Sequence, residues 1–243
     1  GQPHLTVEAI ARMKVPLIAV HEQEEIERIY IEAETASEKS RNFYTRAQQL
    51  LESDLGLDKL TFQKPVGYTT QLSDVETSRR FDTEHYFPKF QAFRKGLPAG
   101  ISLQPLSECL FYCARGKQPI YAKSGLPVIN SKHVQPNRII LEGNRLGLAN
   151  PDVNLQIRSG DALLNGTGRG TIGRAAPYLS DTLAVADNHV TILRSHCLDP
   201  AFLSLYLNSV AGQMQVEMHQ RGTSGQLELY PFDIRKFLVW NAP

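Results

Sequence analysis

The chain has 243 residues, of which 42% are hydrophobic and 21% charged; these globular values exclude wholesale disorder and leave ample apolar side chains for a core. Its longest apolar run, residues 15–20, is far too short to cross a bilayer. The net charge of +1 hides an asymmetry: residues 1–58 hold 6 Lys and Arg against 11 Asp and Glu, whereas residues 59–243 hold 20 against 14, a mild excess that permits nucleic-acid binding through a local patch without demanding it.

No basic-then-apolar secretion signal opens the chain, so a cytoplasmic protein is the expectation. The opening Gly1-Gln2, in place of a Met, suits a piece of something longer. Cys109, Cys113 and Cys197 cannot all pair with one another, and their spacing suggests no zinc site; they read as packed or free thiols.

In chain order, the first element is an echo. Gly1, Gln2, Leu5, Ile10 and Val15 recur as Gly225, Gln226, Leu229, Ile234 and Val239, all at an offset of 224, and Met13 is matched by Phe237. A unit of about 224 residues therefore repeats, and the chain holds one period plus a little overlap. The shared stretch reads as a Gly turn, a short element carrying Ile10 or Ile234, and a strand ending in Val15 or Val239. Residues 1–20 are then the end of a preceding repeat.

From His21 to Ser53 there is no Gly or Pro, and good helix formers dominate. Ile26, Ala33, Ser40 and Ala47 fall on one heptad seam position, and Ile29, Ala36, Phe43 and Leu50 on the other. Gly56 supplies a stop, giving a long spacer helix over 21–56. A helix lying on the globular part is the plainer alternative to a protruding coiled coil, but the length and the small residues Ala33, Ala36 and Ser40 favour pairing with a second helix. No other heptad helix exists in the sequence.

Residues 57–243 change to short β-type segments broken by Gly, Pro and Asn, with candidates at 127–130, 138–141, 161–165 and 190–193. One helix interrupts them: Asp199 caps it, Pro200 suits its first turn, and Phe202, Leu203, Tyr206, Leu207, Val210 and Met214 form one face. The fold class is α+β, a strand-rich mixed domain behind a long N-terminal helix.

The string Gly168-Arg-Gly170-Thr-Ile-Gly173 is a formal GxGxxG. In a dinucleotide fold such glycines open a helix, but Pro177 falls where that helix would continue, and Asp187 is too close for a crossover unit. What remains is a Gly loop carrying Asn165, Thr167, Arg169, Thr171 and Arg174, whose backbone freedom and guanidinium groups suit phosphates or base edges; a Gly-rich hairpin with incidental arginines is the plainer reading. A second polar loop holds Ser131, Lys132, His133, Gln135, Asn137 and Arg138. A third stretch interleaves Arg79, Arg80, Lys89, Arg94 and Lys95 with Phe81, Tyr86, Phe87, Phe90 and Phe93.

Catalytic constellations are thin. There is no GxSxG elbow, Walker loop or HExxH helix, and no Asn/Asp-Pro-Pro-aromatic strand end to grip an amino group for methylation. Pro151-Asp152 starts like a nuclease site without the Glu-x-Lys that should follow, and His196 beside Cys197 is no ligand set. The chain reads as a recognition or assembly module, not an enzyme, with no metal and no cofactor.

Four stretches resemble the specificity subunit of type I restriction-modification enzymes. Val15-Pro16-Leu17, Glu22-Gln23 and the heptad helix resemble the spacer that follows each target-recognition domain. Arg80-Phe81-Asp82 through Tyr86-Phe87-Pro88-Lys89 resembles an early Arg-x-Asp…Tyr…Pro segment. Ser159-Gly160-Asp161 through Gly168, with Ile172-Gly173-Arg174, resembles the Gly-Asp strand and Gly loop. Asp199-Pro200 through Asn208-Ser209, then Gly222 to Gln226, resembles the late helix and turn. Ile18 stands where a proline is usual, and Trp240 where the first proline would recur.

The resemblance implies one half-repeat: the central spacer helix followed by one DNA target-recognition domain over 57–243. It implies an antiparallel helix pair with a second half-repeat, methyltransferase subunits docked on the spacers, a separate restriction subunit that cleaves, and double-stranded DNA read at one half of a split site. Candidate DNA-binding residues are Lys132, His133, Asn137, Arg138, Thr167, Arg169, Thr171 and Arg174. Two other classes stay open: a coiled-coil assembly protein with an unrelated β-rich head, and a nucleotide-binding enzyme using the Gly168–Gly173 loop.

Overall fold

The computed structural model describes residues 6–61, 65–150, 152–222 and 225–240 and divides into two units, Gly1–Arg46 and Ala47–Pro243. The chain opens with a one-turn helix, α1 (Val7–Ala11), whose N-terminal amide on Ala9 is capped by Thr6 Oγ1 at 3.2 Å. The spacer helix follows as α2 (Val20–Asp54), 35 residues and so about 52 Å long at ~1.5 Å per residue. Its first turn is tied by Glu22, which accepts from the Ala19 amide at 3.2 Å, and by Gln23, whose Nε2 donates to Ile18 O at 2.9 Å. Gly56 ends it in the left-handed region, φ +68°, where a side chain would be strained.

Within the single chain the heptad seam is uncovered. Ile26 is 59% exposed, Ile29 53%, Phe43 67% and Leu50 64%, and Ala33, Ala36, Ser40 and Ala47 are exposed as well. Only Leu51 of this helix is buried.

The strand expected to end at Val15 is not formed. Residues 13–19 carry no regular structure, and Val15 is 78% exposed, whereas its echo Val239 is fully buried. A strand needs a neighbour for its amides and carbonyls. Val239 sits opposite Gln104 in a two-stranded pair, and no such partner faces Val15 among the described residues. The short element does recur, as α1 around Ile10 and as the turn of helix ending at Ile234. Gly1, Gln2 and Leu5 lie outside the described residues.

After α3 (Leu72–Ser78) and α4 (Lys89–Gly96) come β1 (Leu103–Pro105), α5 (Leu106–Cys109), β2 (Leu110–Arg115), β3 (Tyr121–Ile129), β4 (Val134–Gln135), β5 (Arg138–Ile139), β6 (Leu146–Gly147) and β7 (Gln156–Ile157). Then follow β8 (Asp161–Asn165), β9 (Ala175–Tyr178), β10 (Ala184–Ala186), β11 (Val190–Ser195), α6 (Pro200–Asn208), α7 (Val210–His219), α8 (Pro231–Ile234) and β12 (Leu238–Trp240). An antiparallel sheet ordered β2-β11-β8-β9 forms the centre, and a mixed sheet ordered β6-β3-β10-β7 lies beyond it, with β3 and β10 parallel. Strands β8, β9 and β11 of the central sheet are buried on both faces, their successive side chains pointing alternately to either side. Ala162, Leu164, Ala175 and Leu193 face the helices, Leu55 and Phe93, while Leu163, Ala176, Tyr178 and Ile192 face Ile129 and Ile157 of the second sheet.

The single helix expected from Asp199 through Met214 is two. Asp199 Oδ1 caps Ala201 and Phe202 at 2.8 and 3.1 Å, as its position suggested, but the run stops at Asn208. Ser209, extended at ψ 168°, caps α7 by accepting from the Gly212 amide and donates its hydroxyl to Tyr206 O at 2.6 Å. The tight corner needs Gly212, where a Cβ would lie 2.4 Å from two carbonyl oxygens. Val210, expected on the buried face, is 41% exposed in consequence.

Candidate nucleic-acid interface

The Gly loop joins β8 to β9 and therefore caps a hairpin; no helix starts from it. Asn165 N–H donates to Arg174 O and Gly173 N–H to Asn165 O, both at 2.9 Å, and the Ile172 amide closes the turn onto Gly168 O. Gly168 and Gly173 have φ of +93° and +83°, and a Cβ at Gly173 would press on both methyls of Val216 at 2.9 Å. The strand–turn–helix geometry of a dinucleotide site is absent from this loop.

The second polar loop is two turns flanking β4: Ser131, Lys132 and His133 lie between β3 and β4, and Asn137 lies in the β4–β5 turn. Gln135 faces Arg138 across a two-residue connection, and Asn137 takes φ +63°, a conformation asparagine tolerates better than most residues. The two loops are neighbours held in register. Arg174 Nη1 donates to Gln135 Oε1 at 3.1 Å, the Asn137 amide to Ala175 O at 2.7 Å, and the Asn165 side-chain amide to Ser131 O and Val134 O at 2.9 and 3.2 Å.

This arrangement separates the eight candidate residues by what their side chains already do. His133 is buried, its Nδ1 accepts from the Asn130 amide at 3.1 Å, and burial followed by the Lys132 charge holds the ring below its ordinary pKa. Asn137 accepts from Asn208 Nδ2 at 2.7 Å. Thr167 shares a hydrogen bond with His189 Nδ1 at 2.7 Å, Thr171 Oγ1 donates back to Thr167 O at 2.9 Å, and Arg174 is the inter-loop tie. Lys132, Arg138 and Arg169 are exposed, with no side-chain partner among the described residues.

The start of the basic-aromatic stretch, residues 79–84, comes to the same part of the body, while Phe90 and Phe93 pack into the core. Arg80 is 6% exposed; its Nε donates to Asp82 Oδ1 at 2.8 Å, Nη1 to His219 O at 3.0 Å and Nη2 to Gln220 O at 2.6 Å. Burial alone would raise the Asp82 carboxyl, but the Arg80 fork outweighs it and holds that group below its usual value. Arg221 in turn bridges to Glu228, which bridges to Thr167, so the Arg80 turn and the Gly loop line one cleft. Neighbouring charges are spoken for: in the cleft, Arg221 Nε donates to the buried Asp233 at 2.7 Å, and beside Gly166 of the loop, Arg115 Nη2 donates to Leu229 O at 2.9 Å. Sequence reasoning named neither Arg115 nor Arg221, although Arg221 directly precedes the Gly222–Gln226 turn; only the fold brings them beside the loop.

The Gly-Asp motif is structural. Asp161 and Arg194, both buried, form a two-pronged ion pair at 2.7 and 3.0 Å, with Arg194 also donating to Asn154 O and Gln156 O and lying 4.6 Å from the Tyr112 ring centre. All three cysteines are free, no cluster of three His, Cys, Asp or Glu among the described residues could hold a metal ion, and no described helix is long and apolar enough to cross a membrane.

No protein-family model matches the chain, and no curated protein matches it in sequence. Among the solved structures similar to it are three at 15% identity. One, from work on complex assembly and conformational transition of the type I R-M system, has a TM-score of 0.47 over 94% of this chain and 49% of its own. The HsdS subunit from Thermoanaerobacter tengcongensis has a TM-score of 0.41, covering 97% and 53%. The S subunit of a type I restriction-modification system from M. genitalium has 0.37, covering 58% and 35%. The chain thus spans about half the length of the first two.

Proposed function

We propose that this chain is the DNA-reading half-repeat of a type I restriction-modification specificity subunit, recognising one half of a split site in double-stranded DNA. The observation that supports this most directly is the pair of neighbouring loops, tied by Arg174 and Asn165, that leave Lys132, Arg138 and Arg169 exposed and unpartnered among the described residues. A fixed loop pair with free guanidinium and ammonium groups is what base-edge and phosphate contacts need. The uncovered heptad of α2 supports the second part of the reading: Ile26, Ile29, Ala33, Ala36, Ser40, Phe43, Ala47 and Leu50 receive the helix of a second half-repeat, antiparallel. Methyltransferase subunits dock on the spacers and a restriction subunit cleaves, so the chain itself performs neither step and needs no cofactor.

The test is selection of duplexes from a random-sequence pool by the purified chain, followed by titration of the winners at 50 and 200 mM salt. A recurring short motif is expected. If Lys132, Arg138 and Arg169 together neutralise about three phosphates' worth of charge, affinity falls about 40-fold between the two salts. A base-reading residue among Lys132, Arg138, Arg169 and Arg174, changed to Ala, costs about 1–3 kcal/mol and relaxes preference at one position. A pool that stays unenriched through repeated selection rules the reading out and leaves a coiled-coil assembly protein in its place.

A further inference from the structure

The cleft between the Arg80 turn and the Gly loop, about 840 Å³ in volume, contains a feature that the two reading loops leave unused. Phe81 projects from its wall with 88% of its surface exposed. A single exposed apolar side chain is ordinary in itself; this one is rigidly mounted. The preceding residue, Arg80, is locked through its whole guanidinium onto Asp82, His219 O and Gln220 O. Its backbone is held as well, the amide donating to Ser78 Oγ at 3.3 Å and the carbonyl accepting from Tyr86 Oη at 2.6 Å. The residue before that, Arg79, takes the left-handed conformation at φ +52°, fixed by its amide donating to Val75 O at 2.8 Å. The turn therefore buries Arg80 and presents Arg79 and Phe81 to the cleft.

Arg169, between Gly168 and Gly170, both at positive φ, lines the same cleft from the Gly loop. Arg79 and Arg169 have no carboxylate partner among the described residues, whereas the other two arginines of the cleft, Arg80 and Arg221, are neutralised by Asp82 and Asp233. Glu84 also lines the cleft and supplies an acceptor, the match for an exocyclic amino group on adenine or cytosine.

We propose that this cleft is a DNA-seating site in which Phe81 acts as a wedge against one base step while Arg79 and Arg169 hold the phosphates on either side. The proposal rests on the DNA-reading function above and adds to it a contact outside the two loops. An aromatic face packs on any base, so Phe81 supplies affinity and local distortion of the duplex, and the guanidinium forks supply the salt-dependent share. Sequence discrimination by direct contact is left to Lys132 and Arg138, with Glu84 adding a preference at the wedged step.

The experiment uses the full chain and a selected duplex carrying 5-iododeoxyuridine in place of thymidine, which crosslinks on irradiation to aromatic side chains packed on the base. The crosslinked peptide is expected to contain Phe81. Phe81→Ala and Phe81→Leu should both lose that crosslink and bind about tenfold more weakly, while Phe81→Tyr keeps both properties. Arg79→Ala and Arg169→Ala should each lower the salt slope by about 1 without changing the selected motif. Because Phe81 is solvent-exposed, its variants should unfold at the wild-type urea midpoint, which separates lost contact from lost fold. Wild-type affinity in Phe81→Ala, with crosslinks confined to other segments, overturns the wedge and leaves the reading loops standing. Failure of the unmodified chain to bind any duplex removes the DNA reading and the wedge with it.

Discussion

At the scale of single residues, the sequence's most motif-like pairs prove to be internal fasteners. Arg80-x-Asp82 closes a guanidinium fork on a turn, and Asp161 receives Arg194 across β8 and β11. The second pair is the more deeply buried, at 1% and 4% exposure, so its charges have little water to fall back on. Removing one partner of such a pair costs about 3–5 kcal/mol, because the survivor is left charged and dry. Arg194→Met is therefore expected to destabilise the body by about that much in urea unfolding, with Asp161 retaining only the Arg158 amide at 3.0 Å. Adding Asp161→Asn to the same chain should return part of the loss, since a neutral amide needs no counter-ion. A single variant with the wild-type midpoint would show that the pair is idle.

At the scale of elements, α2 carries the assembly reading. Ala36 lies mid-seam and is exposed in the isolated chain, so a charge there leaves the chain's own core untouched. Against a second helix, the same charge would be buried without a partner, at a cost of several kcal/mol. Ala36→Glu should thus abolish association seen by sedimentation while circular dichroism stays unchanged; association that survives it argues that another surface pairs the molecules. This helix, expected over 21–56 and observed over Val20–Asp54, was legible to within two residues at each end, because thirty-three residues without Gly or Pro, on a heptad, leave few other conformations. Strands β8 and β11 were legible for a similar reason, as apolar runs bounded by turn residues. The break at Ser209 was not, since it depends on how closely Gly212 approaches the end of α6. The candidate site divides the same way. Sequence could nominate two polar loops, but His133, Asn137 and Thr171 turn inward or onto their own backbone for reasons of packing that spacing does not record.

At the scale of the whole molecule, burial is confined to one part of the chain. None of the described residues from Thr6 to Arg46 is buried, and the core begins with Leu51, Leu55 and Leu57, which join Phe90, Phe93 and the α6–α7 face. A chain starting at Ala47 keeps every one of those side chains, so it should fold alone and melt within a few degrees of the full chain; for a body of this size ~1 kcal/mol moves the midpoint by only about 2–4 °C. A chain starting at Asp58 loses Leu51, Leu55 and Leu57 together. Vacating buried leucines costs about 2–5 kcal/mol each, which approaches the whole stability of a domain, so that shorter chain should be unfolded or molten. Between the two cuts lie eleven residues, and the difference in thermal unfolding measures what the last turns of the helix contribute to the body. The chain from Ala47 should also bind selected duplexes with the full chain's salt slope, since Lys132, Arg138 and Arg169 remain, while losing most of the seam from Ile26 to Phe43 and with it the capacity to associate. If the fragment binds DNA normally and still associates, the spacer helix is not the assembly element. If it folds normally and no longer binds, the reading surface reaches into the helix as well as the loops.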